Sequence, residues 1–338
     1  LLYGAALLHD IGHGPLSHTG EEMFGLRHEA WSARVIRHHP EIHECLESHA
    51  SGTAETVANL LEHGRSPHPL IKHLVSSQLD CDRLDYLLRD SYSTGTRYGQ
   101  LDLDRILGAL TLAPDGDMAI HPKGLMAVEH YLVVRNLMYR SVYNHRLNVV
   151  CNWLLEKLIL TARQLGPEQV WADEVMATWL WQPDQIRLED FLANDDQRTG
   201  YHLQRWQAEA PAALAELSGR FLDRRLLKAT AVEHLSPADQ LQLLATARLL
   251  ADSHNHDPEL CCGLRHQQLR GYHPYRGGLR LWDGQQLQAL EKASPLVASL
   301  ATPAATSWLI HPRDISNELR QEMDCLLYTS PSPRDRPL

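Results

Sequence analysis

Along most of the chain apolar residues recur at helical spacing, and glycine and proline cut the pattern into a series of helices. Leu2 to Ile11 reads as a helix stopped by Gly12, Gly14 and Pro15. Glu29 to Arg37 predicts a second helix ending near Pro40, Thr53 to Leu61 a third, and Leu70 to Leu88 a longer fourth. Two apolar runs about Pro114-Asp115-Gly116-Asp117 predict a small hairpin within Gly108 to Ile120. Leu125 to Leu165 has no proline and is the strongest helical stretch, with Asn144 or Asn148 as a bend and Gly166-Pro167 as its end. From Glu168 to about Leu250 the helical pattern continues, and Trp171, Trp179, Trp181 and Trp206 read as packing residues. Ala251 to Trp282 suggests loops and short strands, followed by a strand at Trp308 to Ile310 and a short helix near Ile315 to Met323. Tyr328 to Leu338 has no apolar periodicity and is expected to be a disordered tail foreign to the fold.

These patterns predict a mainly α protein with a smaller mixed α/β region towards the C-terminus. The expected divisions are a helical core over 1–165, a helical extension over 166–250, an α+β region over 251–327 and the tail over 328–338. Leu1 to Leu8 runs straight into a polar cluster, with no basic flank and no initiator Met, so it reads as a helix cut off from a preceding segment.

Composition narrows the function. With 338 residues and 43% hydrophobic content the chain can bury a large core, yet no run is long enough to span a membrane. A net charge of -10 argues against a stable complex with nucleic acid backbones. Six cysteines without a CxxC spacing fit a reducing, cytoplasmic setting.

The chemistry concentrates near the start: His9, Asp10, His13, His18, Glu21 and His28 lie within about twenty residues. An imidazole beside a carboxylate at a helix end suits Mn, Fe, Ni or Zn and tolerates Mg, provided that other helices supply further ligands. Asp82, flanked by leucines, is costly to bury alone; a metal, or Arg83 and Arg89 as partners, would resolve that cost. His13, His18 and His28 suit an anionic phosphate, with Glu21 orienting one of them. On the long helix Arg135, Tyr143, His145 and Arg146 suit a triphosphate or a subunit interface. His254, His256, Cys261, Cys262 and His266 form a second set of ligand types, without the usual spacing.

The motifs His9-Asp10-Ile-Gly-His13-Gly-Pro-Leu-Ser-His18, His28-Glu29 and Asp80-Cys-Asp82-Arg83-Leu-Asp85-Tyr86 resemble the HD-domain phosphohydrolases. Within these they are most similar to the deoxynucleoside triphosphate triphosphohydrolase branch. The resemblance implies a helical HD core and one divalent metal ion on His9, Asp10 and Asp82, with a further histidine from an upstream helix that would precede residue 1. A chain without that histidine is expected to be impaired. The resemblance further implies His13, His18, Glu21 and His28 as the catalytic set; Glu21 stands where the family commonly has aspartate. Arg83, Tyr86, Arg135, Tyr143, His145 and Arg146 are then expected around a nucleotide substrate. Relatives are commonly oligomers, so a homodimer or homotetramer with a regulatory nucleotide is expected.

Overall fold

The computed structural model describes residues 1–274 and 278–329, and it is mainly α. Contacts divide the chain into two compact units that interleave along the sequence. The first comprises Leu1–Tyr143, Glu174–Thr199 and Arg270–Pro303; the second comprises Asn144–Asp173, Gly200–Leu269 and the segment from Ala304 onward. The divisions expected at 165 and 250 run along the chain, whereas these units cross it.

In the first unit, helices Leu2–Leu8, His28–His38, Thr53–His63 and Pro69–Val75 close on a core that contains Ala5, Ile36, Val57 and Leu60. A second core gathers Leu79, Leu87, Ile106, Tyr131, Leu132 and Met138. The expected hairpin forms from Leu110–Leu112 and Met118–Ile120, antiparallel with Leu110 opposite Ile120. It is extended by Arg280–Trp282, paired parallel to the second strand, and by Leu287–Ala289.

In the second unit, Ala304–His311 lies between Lys228–Ala231 and Gly263–Leu269, antiparallel to both. Helices Arg146–Leu165 and Pro237–Ser253 pack on this sheet. Lys228–Ala231 falls in a stretch expected to be helical; its four residues are too few to show a period. The C-terminal helix is longer than expected, Ser316–Thr329, and passes the predicted boundary at 328. The rest of the expected tail, 330–338, lies outside the described residues.

Three further elements depart from the periodic reading, each for a local reason. Pro40 does not merely end a helix: it opens the next, Pro40–His49, at a first-turn position where its missing N–H costs nothing. The stretch from Leu70 to Leu88 splits into Pro69–Val75 and Cys81–Thr94 because Asp80 takes up the backbone N–H groups of Ser77 and Arg83 at 2.9 and 2.8 Å. The long helix is Leu125–Met138, a π-helical turn Tyr139–Tyr143, then Arg146–Leu165, so the helical run is interrupted at Asn144 and His145. Among the described residues no helix is long and apolar enough to cross a membrane.

Candidate metal and phosphate site

The site is built on the loop that leaves helix Leu2–Leu8. His9 ends that helix, and its Nδ1–H donates to the Ala6 carbonyl at 2.9 Å. This fixes the tautomer and turns the Nε2 lone pair towards Asp10 and Asp82. Gly12 is required next: a Cβ there would lie 2.1 Å from the Ser32 nitrogen and 2.2 Å from the His28 carbonyl oxygen. The Gly12 N–H donates to Ser32 Oγ at 2.9 Å, and Ser32 Oγ–H donates to the His9 carbonyl at 2.7 Å. The fully buried Ser32 thus pins both ends of the His-Asp loop to helix His28–His38.

His9 Nε2 is buried and has no hydrogen-bond partner among the described residues. It stands 3.4 Å from an Asp10 carboxylate oxygen and 3.7 Å from one of Asp82. These are long for hydrogen bonds. Bonds of about 2.1 Å at tetrahedral or octahedral angles put ligand atoms roughly 3.0–3.4 Å apart, so the Asp10 distance matches two ligands on one ion and the Asp82 oxygen would have to close in by about 0.3 Å. One atom from each of His9, Asp10 and Asp82 lies within 4.8 Å of the others. Without an ion a proton does the neutralising: the Asp82 carboxylate above all, with Asp10 and against burial, pushes His9 up to about 9. The same contact with His9 lowers Asp82 against burial. The residues therefore fit a divalent cation. Neither arginine takes Asp82: Arg89 pairs with Asp85 at 2.8 Å, and Arg83 with the buried Asp80 at 3.1 Å.

Beside this trio three imidazoles converge on one carboxylate oxygen. Glu21 Oε1 accepts from His28 Nδ1 at 2.7 Å and His18 Nδ1 at 2.9 Å, with His13 Nδ1 at 3.4 Å. The His13 and His28 rings stack with centroids 4.1 Å apart. Burial would raise the Glu21 carboxyl, but the hydrogen bond and charge of His28, helped by His18, hold it low. Burial lowers the His13 imidazole from its ordinary value, helped by His28 and His18 beside it.

A cavity of about 370 Å³ opens onto His9, Asp10, His18 and His28, and reaches Asp82, Arg83, Tyr86 and Tyr139. Arg83 Nε donates to the Ser77 carbonyl at 2.7 Å and to Asp80, which clamps the guanidinium in place. Tyr86 and Tyr139 approach hydroxyl to hydroxyl at 3.4 Å. Arg135 is buried, its guanidinium 5.5 Å from the Tyr139 ring centroid, and its Nη1 has no partner among the described residues. Tyr143 instead donates to Asp90 at 2.6 Å.

His145 and Arg146 belong to the second unit, where both are exposed; His145 Nδ1 accepts the Leu147 N–H and caps the Arg146–Leu165 helix. Neither they nor Arg135 and Tyr143 are among the cavity's lining residues; of the expected substrate set only Arg83 and Tyr86 line it. The second histidine–cysteine set does not gather into a metal cluster among the described residues. His256 bonds Asp314, His266 bonds Ser307, and both cysteines meet backbone carbonyls. Tyr139, Asp80 and Ser32 escaped sequence reasoning. Only Asp80 carried a signal, as an aspartate that caps a helix three residues before an arginine.

Residues 1–90 match the HD domain and residues 101–251 the HD associated region. The chain is 30% identical over 325 residues to the uncharacterized protein YwfO of Bacillus subtilis, spanning 93% of this chain and 74% of that one. A crystal structure of a phosphohydrolase from Bacteroides thetaiotaomicron superposes with a TM-score of 0.76 at 25% identity, covering 92% of this chain and 79% of that one. A hypothetical protein from Aquifex aeolicus shares the fold with a TM-score of 0.72 at 23% identity, covering 95% and 79%. A Dictyostelium discoideum protein named as a deoxynucleoside triphosphate triphosphohydrolase SAMHD1 homolog is 25% identical over 172 residues, 47% of this chain and 33% of that protein. The chain belongs to the HD-domain phosphohydrolase superfamily.

Proposed function

We propose that the chain hydrolyses deoxynucleoside triphosphates to deoxynucleoside and inorganic triphosphate. Arg135 carries this reading. A buried guanidinium with a free N–H is costly unless an anion completes it. Arg135 lies behind Tyr139, which lines the cavity, so a phosphate tail that displaces the Tyr139 ring would supply that anion, and arginine forks suit its oxygens. Tyr86 and Tyr143 then contact phosphate and sugar. The name of the Dictyostelium relative supports the same substrate class.

His9, Asp10 and Asp82 would hold a divalent ion, which when bound would supply Lewis-acid charge to the substrate's phosphate. The remaining chemistry belongs to the chain. A water oxygen bonds to the α-phosphorus and gives up a proton to solvent while the bond from that phosphorus to the deoxyribose 5′ oxygen breaks. His28 faces the cavity and is held through Nδ1 by Glu21, so its Nε2 proton goes to the departing oxygen. His13 and His18, on the same carboxylate, stabilise the charge that spreads over the phosphoryl oxygens.

Chromatographic analysis of products from a panel of nucleotides tests the reading. Deoxynucleoside and triphosphate in equal amounts are expected. Stepwise release of orthophosphate, cleavage of a monophosphate or signalling nucleotide alone, or nucleotide binding without turnover would replace it with another phosphohydrolase activity or a sensor. We also propose a homo-oligomer, dimer or tetramer, that takes a regulatory nucleotide. Light scattering after size exclusion tests this, and a monomer with and without nucleotide rejects it.

A further inference from the structure

Leu16 and Ser17 have φ of 63° and 54°, the one adjacent pair of non-glycine residues in the left-handed region among the described residues. An L-residue resists this conformation, so two in succession need an external hold. The turn separates His13 from His18, and both imidazoles must meet the same Glu21 oxygen, at 3.4 and 2.9 Å. It is also tightly folded: a Cβ on Gly20 would lie 1.9 Å from the Pro15 carbonyl oxygen.

The hold comes from 180 residues further along, where Asp196 Oδ1 accepts the Leu16 N–H at 2.7 Å. Asp196 opens helix Asp196–Glu209, yet that helix does not need its carboxylate as a cap, because Asp195 Oδ1 already accepts the Arg198 N–H at 2.8 Å. The two adjacent aspartates divide the work: Asp195 serves the helix and Asp196 the turn.

We propose that Asp196 is a positioning residue for the His13–His18–Glu21–His28 group, acting through the Leu16 N–H and touching no substrate. Its kinetic consequence rests on the hydrolysis proposed above; its structural consequence does not. The variants are Asp196→Ala, which removes the acceptor, Asp196→Asn, which keeps Oδ1, and Asp195→Ala, which removes only the helix cap. The full chain is read by deoxynucleoside triphosphate turnover and by residue-resolved amide exchange at Leu16. Asp196→Ala should lower kcat about 10- to 100-fold with KM little changed, and speed Leu16 exchange at least about tenfold. Asp196→Asn should restore most of both, and Asp195→Ala should leave both near wild type. The proposal is overturned if Leu16 exchange is unchanged in Asp196→Ala, if Asp196→Asn fails to protect Leu16, or if Asp195→Ala reproduces the losses. A wild-type chain inert to these nucleotides would remove the substrate reading alone, because Leu16 exchange still decides the positioning role. If Asp196→Ala does not fold, Asp196→Leu, which fills the same space without an acceptor, takes its place, and Leu16 exchange unchanged in it overturns the proposal.

Discussion

Loading the His9–Asp10–Asp82 site should be a competition with a proton. The two carboxylates push His9 up to about 9, so at pH 7 its imidazole is about 99% protonated when no ion is bound. Yet Nε2 must be bare to bind a metal, because Nδ1–H is committed to the Ala6 carbonyl. The apparent affinity for a divalent ion should therefore fall short of its limit by about 100-fold at pH 7, about tenfold at pH 8 and about twofold at pH 9. Titration calorimetry with Mn(II) in two buffers of different ionisation heat measures both the affinity and the protons released. Close to one proton should leave per ion at pH 7 and about half of one at pH 9.

Thermal stability supplies a second reading. The folded pKa of His9 lies above its ordinary 6.5, so its contribution in the metal-free protein is complete below about 6.5 and disappears as pH rises through about 9. Bound metal gains over the same window, so the gap in Tm between loaded and metal-free protein should widen from pH 7 to 9. An affinity flat across this range, with no proton released, would refute the assignment of His9 as a ligand poised by Asp82.

Ser32→Ala strips the His-Asp loop of its anchor, losing the bond to the His9 carbonyl and leaving the buried Gly12 N–H unpaired, at a cost of about 2–4 kcal/mol. Scanning calorimetry should show Tm lower by roughly 3–6 °C, and a Tm within about 1 °C of wild type contradicts the anchor. Glu21→Gln keeps the side chain's volume but loses the charge that holds His18 and His28, so kcat should drop about 10²- to 10⁴-fold while bound metal stays constant. Turnover near wild type would show that the shared carboxylate is not needed. Arg135→Met replaces an unpaired buried cation by an apolar chain, so two effects of opposite sign are expected. Stability should hold or rise by about 1–3 kcal/mol, while nucleotide KM should rise more than tenfold; a less stable variant with unchanged KM would mean that Arg135 serves the fold.

What the sequence disclosed and what it withheld follow from the range of each interaction. His9, Asp10, His13, His18, Glu21 and His28 announce themselves because the chemistry packs its residue types into one short stretch, and Glu21 indeed meets His18 from three residues away. Asp82 could be chosen from its neighbours only through the family resemblance: Asp80 and Asp85 carry the same charge in the same stretch, yet one is buried on Arg83 and the other spent on Arg89. Asp80 also shows why the periodic reading ran one helix from Leu70 to Leu88. Apolar spacing continues across the break, and only the capping bonds to Ser77 and Arg83 end the register. Ser32 and Asp196 lie beyond such reasoning altogether. A buried serine in an amphipathic helix and an aspartate in a helix's first turn are locally ordinary, and their partners, Gly12 and Leu16, offer only backbone N–H groups that every residue except proline carries. The groups that perform the proposed chemistry are thus spelled out by residue type, whereas the groups that aim them work through the anonymous backbone. A substitution scan guided by sequence alone would find His13, His18 and His28 and pass over Asp196. The Asp195–Asp196 contrast is therefore the sharper test of how this fold sets its histidines: both aspartates sit at one helix start with the same charge, and only one of them reaches the turn.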